Sequence, residues 1–333
     1  MGNRKAQAVW FVEPRRVEIR DAPLSEPGPG ELLVRTAFSG ISPGTEMLAY
    51  RGELDERLAL DDTLSALSGE FCFPFRYGYS CVGRVEQPGD GIAEGAAVFA
   101  FHPHQDRFVV AAGDAIAIGD VDLRQATLFP LVETALQVSL EAEPEPEAVV
   151  VVTGLGVVGL LCSLLLQRGG ARVLASDPVA PRRELAGGLG IASVVPEDLR
   201  ASVAEMTSTK GAPLLVEASG NPSALVNGLE LLRHEGTALV VSWYGTKLVP
   251  LPLGADFHRR RLTIRSTQVS TIPARLAGQW SLDRRRHAAR ELLGELPLGE
   301  LATHQIPFPS ASEAFGLVDR GEPGLVHAAL CYE

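Results

Sequence analysis

Short, mostly hydrophobic stretches separated by polar segments dominate residues 1–120. Short stretches of this kind, bounded by turn residues, predict β-strands. Proline and glycine lie between the stretches and mark turns. The predicted strands are AVWFVEP, RVEIRDAP, GELLVRTAFSGI, CVGRVEQPG and AAVFAFHPH. This part of the chain is therefore predicted to form a compact β-rich domain.

A different pattern begins at Leu123, where helix-like and strand-like apolar segments alternate. Leu128–Leu140 is predicted to be a helix, and the charged, proline-broken segment Glu141–Glu147 is predicted to be a connector. Strand candidates follow at VVVV, ARVLAS, ASVV, PLLVEASG, TALVVSW and LTIRSTQV, and helix-like segments between them include Arg182–Leu189 and Ser223–Leu232. This alternation predicts a doubly wound parallel sheet of about six strands.

The alternation stops after Gln268, and the remaining tail is too short to form a core of its own. It contains helix-like runs at Arg284–Leu293 and near Ser312–Asp319, and it ends in the strand candidate LVHAALCY. We expect this tail to pack back on the first domain. The predicted fold is α/β, with a Rossmann doubly wound parallel sheet at residues 121–269 and a β-rich domain at residues 1–120 that residues 270–333 rejoin.

The segment Val149–Asp177 has the order of elements that binds a dinucleotide diphosphate: an apolar strand, GLGVVG, an apolar helix and a second strand. Gly154 would make the tight turn, Gly156 would let the backbone approach the pyrophosphate, and Gly159 would allow helix and strand to pack closely. The pyrophosphate would lie at the helix N-terminus, where unpaired N–H groups favour anions. Asp177, eighteen residues after Gly159, is placed to bind a ribose 2′-OH.

Two other interpretations compete for this segment. Ala148–Gln167 carries no charge over twenty residues, which is long enough for a membrane-spanning helix. Three glycines and Thr153 interrupt that run, and they favour the strand, turn and helix instead. The glycine turn could also belong to an α/β protein that binds nothing there, but the acidic residue Asp177 favours a dinucleotide site.

Composition and charge exclude several classes of partner. A length of 333 residues allows two separate cores, and a content of 46% hydrophobic and 21% charged residues is that of a soluble globular protein. The net charge of −11 argues against a nucleic-acid surface, and the basic clusters Arg259–Arg261 and Arg284–Arg286 are too short to change this. The N-terminal segment has no apolar signal region, so we expect a cytoplasmic protein with a small-molecule substrate and with neither nucleic-acid nor membrane partners.

The four cysteines are spread along the chain without a CxxC pair: Cys72, Cys81, Cys162 and Cys331. They therefore form neither a zinc ribbon nor a disulfide framework. Each is most simply a small buried hydrophobic residue.

Two segments of the first domain resemble the medium-chain dehydrogenase/reductase superfamily. SGISPGTE, at Ser39–Glu46, is similar to the SGICGTD segment of zinc alcohol dehydrogenases, and GYSCVGRV, at Gly78–Val85, is similar to GHExxGxV. Within the superfamily, these segments most resemble the bacteriochlorophyllide hydroxyethyl dehydrogenases and sorbitol-like dehydrogenases. The resemblance implies a GroES-like catalytic domain beside the Rossmann domain.

The resemblance also implies that both zinc sites are lost. Ser42, Tyr79 and Pro130 stand at the positions of the catalytic zinc ligands, and Ser80 stands where the second motif has Glu. None of the three aligned residues is a proper zinc ligand. Glu133 is near the third position but out of register, and it is kept as a remote candidate. The lobe that carries four cysteines in the family is replaced by FAFHPHQDRFVV. We therefore expect no metal.

Without zinc, another group has to stabilise the substrate oxygen. Hydride transfer to a carbonyl leaves an alkoxide-like oxygen that a hydrogen-bond donor can stabilise. By the resemblance, Tyr79 faces the cleft in place of a lost ligand, Ser42 and Thr45 line the same cleft, and His102 and His104 lie at its mouth. Each candidate also has a simpler interpretation. Tyr79 could be a packed aromatic ring, Ser42 and Thr45 could be turn or cap residues, and His102 and His104 could be surface-loop histidines. A metal site formed by the two histidines is a further alternative.

Cofactor contacts are predicted at the carboxyl ends of the parallel strands, where α/β sheets bind ligands. By the resemblance, the loops after strands four and five and the segment 266–268 border the nicotinamide. The predicted cofactor-binding residues are Gly154, Leu155, Gly156, Val157, Val158, Gly159, Asp177, Ala218, Ser219, Ser242, Trp243, Tyr244, Ser266 and Thr267. Asp177 should repel a 2′-phosphate, which favours NAD over NADP, although Arg182 and Arg183 could partly offset its charge.

Three functions are carried forward from these features. The preferred one is a zinc-independent oxidoreductase that transfers hydride between NAD(H) and an alcohol/ketone pair. The second is an NADPH-dependent quinone or enoyl reductase, and the third is a non-catalytic NAD(P)H-binding protein. A homodimer is expected from the family resemblance.

Overall fold

The computed structural model describes residues 5–332. The chain divides into two compact units. The first unit comprises the residues up to Pro130 together with those from Arg290 onward, and the second unit comprises Leu131–Ala289.

The secondary structure follows the predicted order of elements. The first part contains β1 (Lys5–Glu13), β2 (Arg16–Pro23), β3 (Glu31–Ile41), α1 (Thr45–Arg51), β4 (Phe75–Arg76), β5 (Cys81–Gln87), β6 (Ala97–Ala100), β7 (Arg107–Ala111), β8 (Ile116–Ala117), α2 (Leu123–Ala126) and α3 (Phe129–Ala142). The middle part contains β9 (Val149–Thr153), α4 (Val157–Arg168), β10 (Arg172–Ser176), α5 (Ala180–Gly188), β11 (Ala192–Val194), α6 (Leu199–Met206), β12 (Ala212–Glu217), α7 (Pro222–Leu229), β13 (Leu232–Val240) and β14 (Thr263–Ser266). The last part contains α8 (Leu282–Glu295), α9 (Leu298–Leu301), β15 (His304–Pro307), α10 (Ala311–Arg320) and β16 (Ala328–Cys331).

The first unit is built on β-sheets, as its short strand-like stretches predict. Within residues 5–332, its larger sheet has the order β15-β16-β3-β5-β6-β8 with β7 also paired to β3, and its smaller sheet has the order β2-β1-β4. The tail returns to this unit, because β16 runs antiparallel to β3 with Ala328 opposite Ile41. In the core, the ring of Phe11 on β1 packs edge-on against Phe315 of α10 at 5.2 Å.

The second unit contains the predicted parallel sheet. Its order, among the described residues, is β11-β10-β9-β12-β13-β14, and each neighbouring pair is parallel. The central strand β9 is buried at each of its five positions. This explains its run of four valines, because helices cover both faces of a doubly wound sheet. The predicted Rossmann fold is confirmed.

The boundary between the units differs from the sequence-based ranges, which place it at 120 and 270. The segment up to Pro130 groups with the first unit, because α2 packs on β3 and β5. The segment 270–289 groups with the second unit. There, Arg285 is buried and donates to Glu133 and Gln137 of α3.

Within residues 5–332, no helix is long and apolar enough to cross a membrane. The uncharged run Ala148–Gln167 divides between strand β9, the glycine turn and helix α4. The alternative of a membrane helix at this segment is therefore wrong, because the glycines end the strand before the helix begins.

Candidate active site

The glycine turn of the second unit has the geometry that the sequence predicts. A Cβ on Gly154, whose φ is +93°, would lie 2.6 Å from the Cα of Ser219. A Cβ on Gly159 would lie 1.8 Å from the carbonyl oxygen of Gly154. In contrast, no atom lies within 4 Å of a Cβ built on Gly156. The protein therefore leaves no room for a side chain at Gly154 or Gly159. Gly156 instead faces open space, where a ligand can approach the backbone.

Helix α4 begins at Val157, directly after this open position, and no side chain caps its N-terminus. Its first N–H groups therefore have no partner within the helix. Over twelve residues, the aligned peptide dipoles favour an anion at this end. The turn and the helix end together fit a pyrophosphate. Leu155, Val157 and Val158 contribute this backbone.

Asp177 lies at the end of β10 with its side chain 3% exposed. Its Oδ2 accepts the N–H of Leu155 at 2.8 Å, and its Oδ1 accepts the N–H of Val179 at 2.8 Å. Arg182 lies 3.6 Å from Oδ2, and Arg183 donates to the carbonyl of Asp177 at 2.7 Å. A carboxylate has about four acceptor sites, so these two backbone hydrogen bonds do not exhaust its acceptor capacity.

A buried acid, Glu217, forms hydrogen bonds with both loops that follow β12 and β13. Glu217, at the end of β12, accepts the N–H of Ser219 at 2.7 Å and the hydroxyl of Tyr244 at 2.7 Å. Burial and the neighbouring Glu217 carboxylate raise the pKa of Tyr244. Ser242 Oγ accepts the N–H of Gly220 at 2.8 Å. Three of the predicted cofactor residues, Ser219, Ser242 and Tyr244, thus belong to one connected loop pair, which also carries Trp243 and Ala218.

Glu141, which was not predicted as a site residue, forms a hydrogen bond with the segment after β14. Thr267 donates its hydroxyl to Glu141 Oε1 at 2.7 Å, and its backbone N–H bonds Val240 at 3.0 Å. The hydroxyl of Thr267 is therefore already engaged with protein. Ser266, the last residue of β14, is exposed.

A buried polar stripe along α3 was also missed. Arg285 contacts Glu133 Oε1 through Nε at 3.1 Å and donates to Gln137 Oε1 at 2.6 Å. Burial raises the pKa of Glu133, while Arg285 opposes that rise. Glu133, Gln137 and Glu141 are spaced four residues apart, which places them on one helix face. Because it is paired with Arg285, Glu133 is not placed as the remote metal ligand considered above.

In the first unit, three of the predicted catalytic hydroxyls come together. The side chains of Ser42 and Thr45 lie beside the hydroxyl of Tyr79 and lower its pKa. Its ring packs edge-on against Tyr77 at 6.1 Å. Burial and the charge of Glu46 raise the pKa of Tyr79 above its usual value of 10.0. This hydroxyl is therefore protonated over the whole physiological range. We call Ser42, Thr45 and Tyr79 the hydroxyl cluster.

His104 is fully buried, which corrects its predicted position at the mouth of a cleft. Its Nδ1 lies 2.7 Å from Ser39 Oγ, and its Nε2 lies 2.7 Å from Glu46 Oε2. Both ring nitrogens are therefore occupied by protein groups. The sequence suggested a surface loop because proline and polar residues surround His104, but the loop folds inward over Glu46.

His102 has a different environment from His104. Its ring stacks on Phe108 at 4.3 Å, and its Nδ1 lies 2.9 Å from the carbonyl of Pro103. Burial lowers the pKa of His102 to about 4, so it is neutral at pH 7. The two histidines of FHPHQ therefore have separate partners, and a shared two-histidine metal site does not form.

The donor chemistry at the family's zinc positions does not fit zinc. Among residues 5–332, no group of three His, Cys, Asp or Glu side chains is placed to hold a metal ion. Ser42 and Tyr79 offer neutral hydroxyls, and Ser80 donates its hydroxyl to the carbonyl of Thr127 at 2.6 Å. Structural and catalytic zinc sites use thiolate, imidazole and carboxylate ligands instead.

A family model matches residues 157–282 and is described as zinc-binding dehydrogenase. The matched residues lie entirely within the second unit, which carries the glycine turn. The segments that align with zinc ligands lie in the first unit. The family description therefore carries no information on zinc in this chain.

Two curated relatives are similar over nearly the whole chain. The 5-exo-hydroxycamphor dehydrogenase of Pseudomonas putida is 24% identical over 372 residues, which covers 95% of this chain and 96% of the relative. The 2-desacetyl-2-hydroxyethyl bacteriochlorophyllide A dehydrogenase of Cereibacter sphaeroides is 25% identical over 334 residues, which covers 93% of each. Both are named as dehydrogenases, and the second belongs to the group that the sequence motifs resemble.

Solved structures share the fold. The 2R,3R-butanediol dehydrogenase of Bacillus subtilis has a TM-score of 0.80 at 19% identity and covers 98% of this chain and 100% of its own. An alcohol dehydrogenase of Escherichia coli, solved with NADH, has a TM-score of 0.78 at 17% identity and covers 99% of this chain and 100% of its own. At these identities the likeness supports the fold alone.

Proposed function

We propose that this chain, a member of the medium-chain dehydrogenase/reductase superfamily with a zinc-binding dehydrogenase domain at residues 157–282, is an oxidoreductase that moves hydride between a nicotinamide cofactor and an alcohol/ketone pair. The two relatives are named as dehydrogenases of a hydroxycamphor and of a hydroxyethyl bacteriochlorophyllide, which supports this reaction class. The observation that carries the proposal is the hydroxyl cluster, whose Ser42 and Tyr79 occupy positions where the zinc enzymes have metal ligands.

The second unit supports the nicotinamide cofactor. The open position at Gly156 and the uncapped start of α4 fit a pyrophosphate, and Asp177 retains acceptor capacity for a ribose hydroxyl. When bound, the cofactor supplies or accepts the hydride. The charge of Asp177 favours NAD over NADP. Arg182, at 3.6 Å from this carboxylate, partly neutralises it, so we propose a preference and not exclusive use of NAD.

The hydroxyl cluster supports a zinc-independent reaction. In ketone reduction, negative charge develops on the substrate oxygen, and a donor aimed at that oxygen stabilises it. Because its pKa is raised, Tyr79 keeps its proton and acts as a hydrogen-bond donor. The side chains of Ser42 and Thr45 lie beside this hydroxyl. Neutral hydroxyls supply weaker stabilisation than a metal ion, and we therefore expect a slower reaction than zinc would support.

A screen of cofactor and substrate classes tests the proposed reaction. The wild-type protein is incubated with NAD and pooled secondary alcohols, and separately with NADPH and pooled enones or quinones, while nicotinamide absorbance is followed. We expect turnover in the alcohol pool. Turnover of enones alone would replace this proposal with the double-bond reductase. Tight cofactor binding without turnover in either pool would instead support the non-catalytic binding protein.

We also propose a homodimer that forms through the edge of the parallel sheet. Strand β14 ends the strand order of that sheet among the described residues. Leu248 is 90% exposed and Leu253 is 48% exposed, and the segment between them packs on the same core cluster as Ile264 of β14. Exposed apolar side chains beside an open sheet edge favour association. Light scattering of the wild type and of Leu248→Lys tests this: we expect a dimer that the lysine weakens, and a monomeric wild type would refute it.

A further inference from the structure

A buried chain of hydrogen bonds leads from Tyr332 to the first turn of α1. Tyr332 Oη lies 2.8 Å from Ser39 Oγ, and Ser39 Oγ lies 2.7 Å from His104 Nδ1. His104 Nε2 in turn lies 2.7 Å from Glu46 Oε2. Ser39, His104 and Glu46 are all fully buried. Buried polar groups at this depth are stable only when each has a partner, so the chain fixes the geometry of every member.

At its other end, this series of hydrogen bonds fixes the turn that carries Ser42 and Thr45. Glu46 Oε1 accepts the backbone N–H of Ser42 at 2.9 Å. Thr45 directly precedes Glu46 and begins α1. One carboxylate therefore fixes the turn of residues 42–45 through its Oε1, while His104 fixes that carboxylate through its Oε2.

His104 also contacts the segment that carries Tyr79. Gly78 has a φ of +113°, and a Cβ built on it would lie 2.6 Å from Cδ2 of His104. Only a glycine allows the backbone before Tyr79 to approach the imidazole so closely. His104 therefore contacts the segment that carries Tyr79 and, through Glu46, the turn that carries Ser42 and Thr45.

Ser39, His104 and Glu46 have the order of a nucleophile, base and acid, but they do not form an acylating site. Ser39 lies within β3 with no exposed surface, and its Oγ is already engaged by Tyr332. A nucleophilic serine has to reach a substrate carbonyl, and this one cannot. The geometry serves to hold other groups in place.

We propose that His104, acting through Glu46, is a positioning residue that holds the turn of Ser42 and Thr45 beside Tyr79. This inference rests on the proposed function, in which Tyr79 is the hydrogen-bond donor. It assigns no chemical step to His104 itself. Besides burial, the charges of Glu46 and Asp61 raise the pKa of Tyr79. Of these, Glu46 is the one that His104 orients.

Two conservative variants separate the contact of His104 with Glu46 from its contact with Ser39. In His104→Gln, the amide can replace Nε2 and still donate to Glu46. In His104→Asn, the shorter amide reaches only the position of Nδ1, beside Ser39. We expect kcat of the Gln variant within about 5-fold of the wild type, and kcat of the Asn variant lower by about 10- to 100-fold, because small displacements of reacting groups cost about this much. KM and the NADH dissociation constant should change by less than about 2-fold in both.

The control is His327→Gln in the same unit. His327 is 1% exposed and its Nε2 lies 2.9 Å from Thr127 Oγ1, so its loss also removes a buried imidazole. We expect a lower melting temperature with kcat within about 2-fold of the wild type. If the Gln and Asn variants of His104 lose kcat equally, or only in proportion to their loss of stability, the positioning role is refuted.

A structural readout makes the result independent of the reaction catalysed. Crystal structures of the two His104 variants should show the distance from Tyr79 Oη to Thr45 Oγ1 unchanged in Gln and lengthened in Asn. An unchanged distance in both variants would overturn the inference. Failure of the proposed function is seen separately, as absence of alcohol turnover by the wild type.

Discussion

Asp177 and Leu155 are joined by a hydrogen bond in which the carboxylate Oδ2 accepts the backbone N–H at 2.8 Å. Leu155 lies between two glycines of the nucleotide-binding turn. The acid at the end of β10 therefore shapes the turn as well as offering an acceptor to a ribose. The same carboxylate is close to Arg182, which moderates its charge.

Asp177→Asn preserves the size of the side chain and removes its charge. Hydrogen bonds to charged groups contribute about 1.5–3 kcal/mol, so we expect NADH affinity to fall by about 10- to 100-fold and the preference for NADH over NADPH to shrink. Fluorescence titration with both cofactors measures this. Asp198→Asn, an exposed aspartate of the same unit, is the control. NADH affinity unchanged by Asp177→Asn would contradict the assignment.

The glycines of the turn should respond differently to alanine. Gly156→Ala meets no atom within 4 Å at a φ of −68°, so we expect the free energy of unfolding to change by less than about 0.5 kcal/mol. NADH binding should nevertheless weaken by at least about 10-fold, because the methyl group occupies the pyrophosphate approach. Gly159→Ala should instead destabilise the fold by about 1–3 kcal/mol or more. Denaturant unfolding and NADH titration of both variants test the contrast, and full NADH affinity in Gly156→Ala would disprove it.

Arg285→Met removes the partner of the buried Glu133 carboxylate. Breaking a buried ion pair costs about 3–5 kcal/mol of unfolding free energy. Burial raises the pKa of Glu133 in the folded state. Protonation of Glu133 therefore stabilises the fold at low pH, and this stabilisation is lost as the pH rises through the raised pKa. The variant should therefore lose less stability relative to wild type at pH 5 than at pH 8. Denaturant unfolding at both pH values measures this, and a loss independent of pH would contradict it.

The double variant Glu133→Leu with Arg285→Met is the matched control for this pair. It leaves no unpaired buried charge, so it should recover most of the stability that Arg285→Met loses. If it is less stable than the single variant, packing and not charge dominates at this position.

Tyr79→Phe removes the donor of the hydroxyl cluster while keeping the ring on Tyr77. Loss of one donor to a developing oxyanion lowers kcat by about 100- to 1000-fold, and we expect an effect in this range. NADH affinity should stay within about 2-fold of wild type, because the cofactor site lies in the second unit. Tyr50→Phe, a buried tyrosine of α1, serves as the control. Unchanged kcat in Tyr79→Phe would remove this hydroxyl from the reaction.

The fold and the dinucleotide site were largely predictable, since each depends on local patterns. The valine-rich strand β9, the glycine spacing and Asp177 are contiguous in sequence, and their physical roles follow from backbone geometry. The hydroxyl cluster was predictable only through the family resemblance, because Ser42 and Tyr79 are far apart in the chain.

The buried polar partners could not be predicted in the same way. His104 is 58 residues from Glu46, and Arg285 is 152 residues from Glu133, so no local spacing links either pair. A polar loop containing proline indicates exposure on average, but FHPHQ folds inward because Glu46 and Ser39 satisfy both ring nitrogens of His104. The four-residue spacing of Glu133, Gln137 and Glu141 was the available signal for the stripe on α3. The cytoplasmic location stays a prediction.

The most direct measurement for the central claim is the rate of NAD-linked alcohol oxidation by protein from which metal has been exhaustively removed with a chelator. If the hydroxyl cluster replaces the zinc ligands, the rate should equal that of untreated protein, and added zinc should not increase it. A chelated protein that loses activity and regains it with one equivalent of zinc would contradict the account.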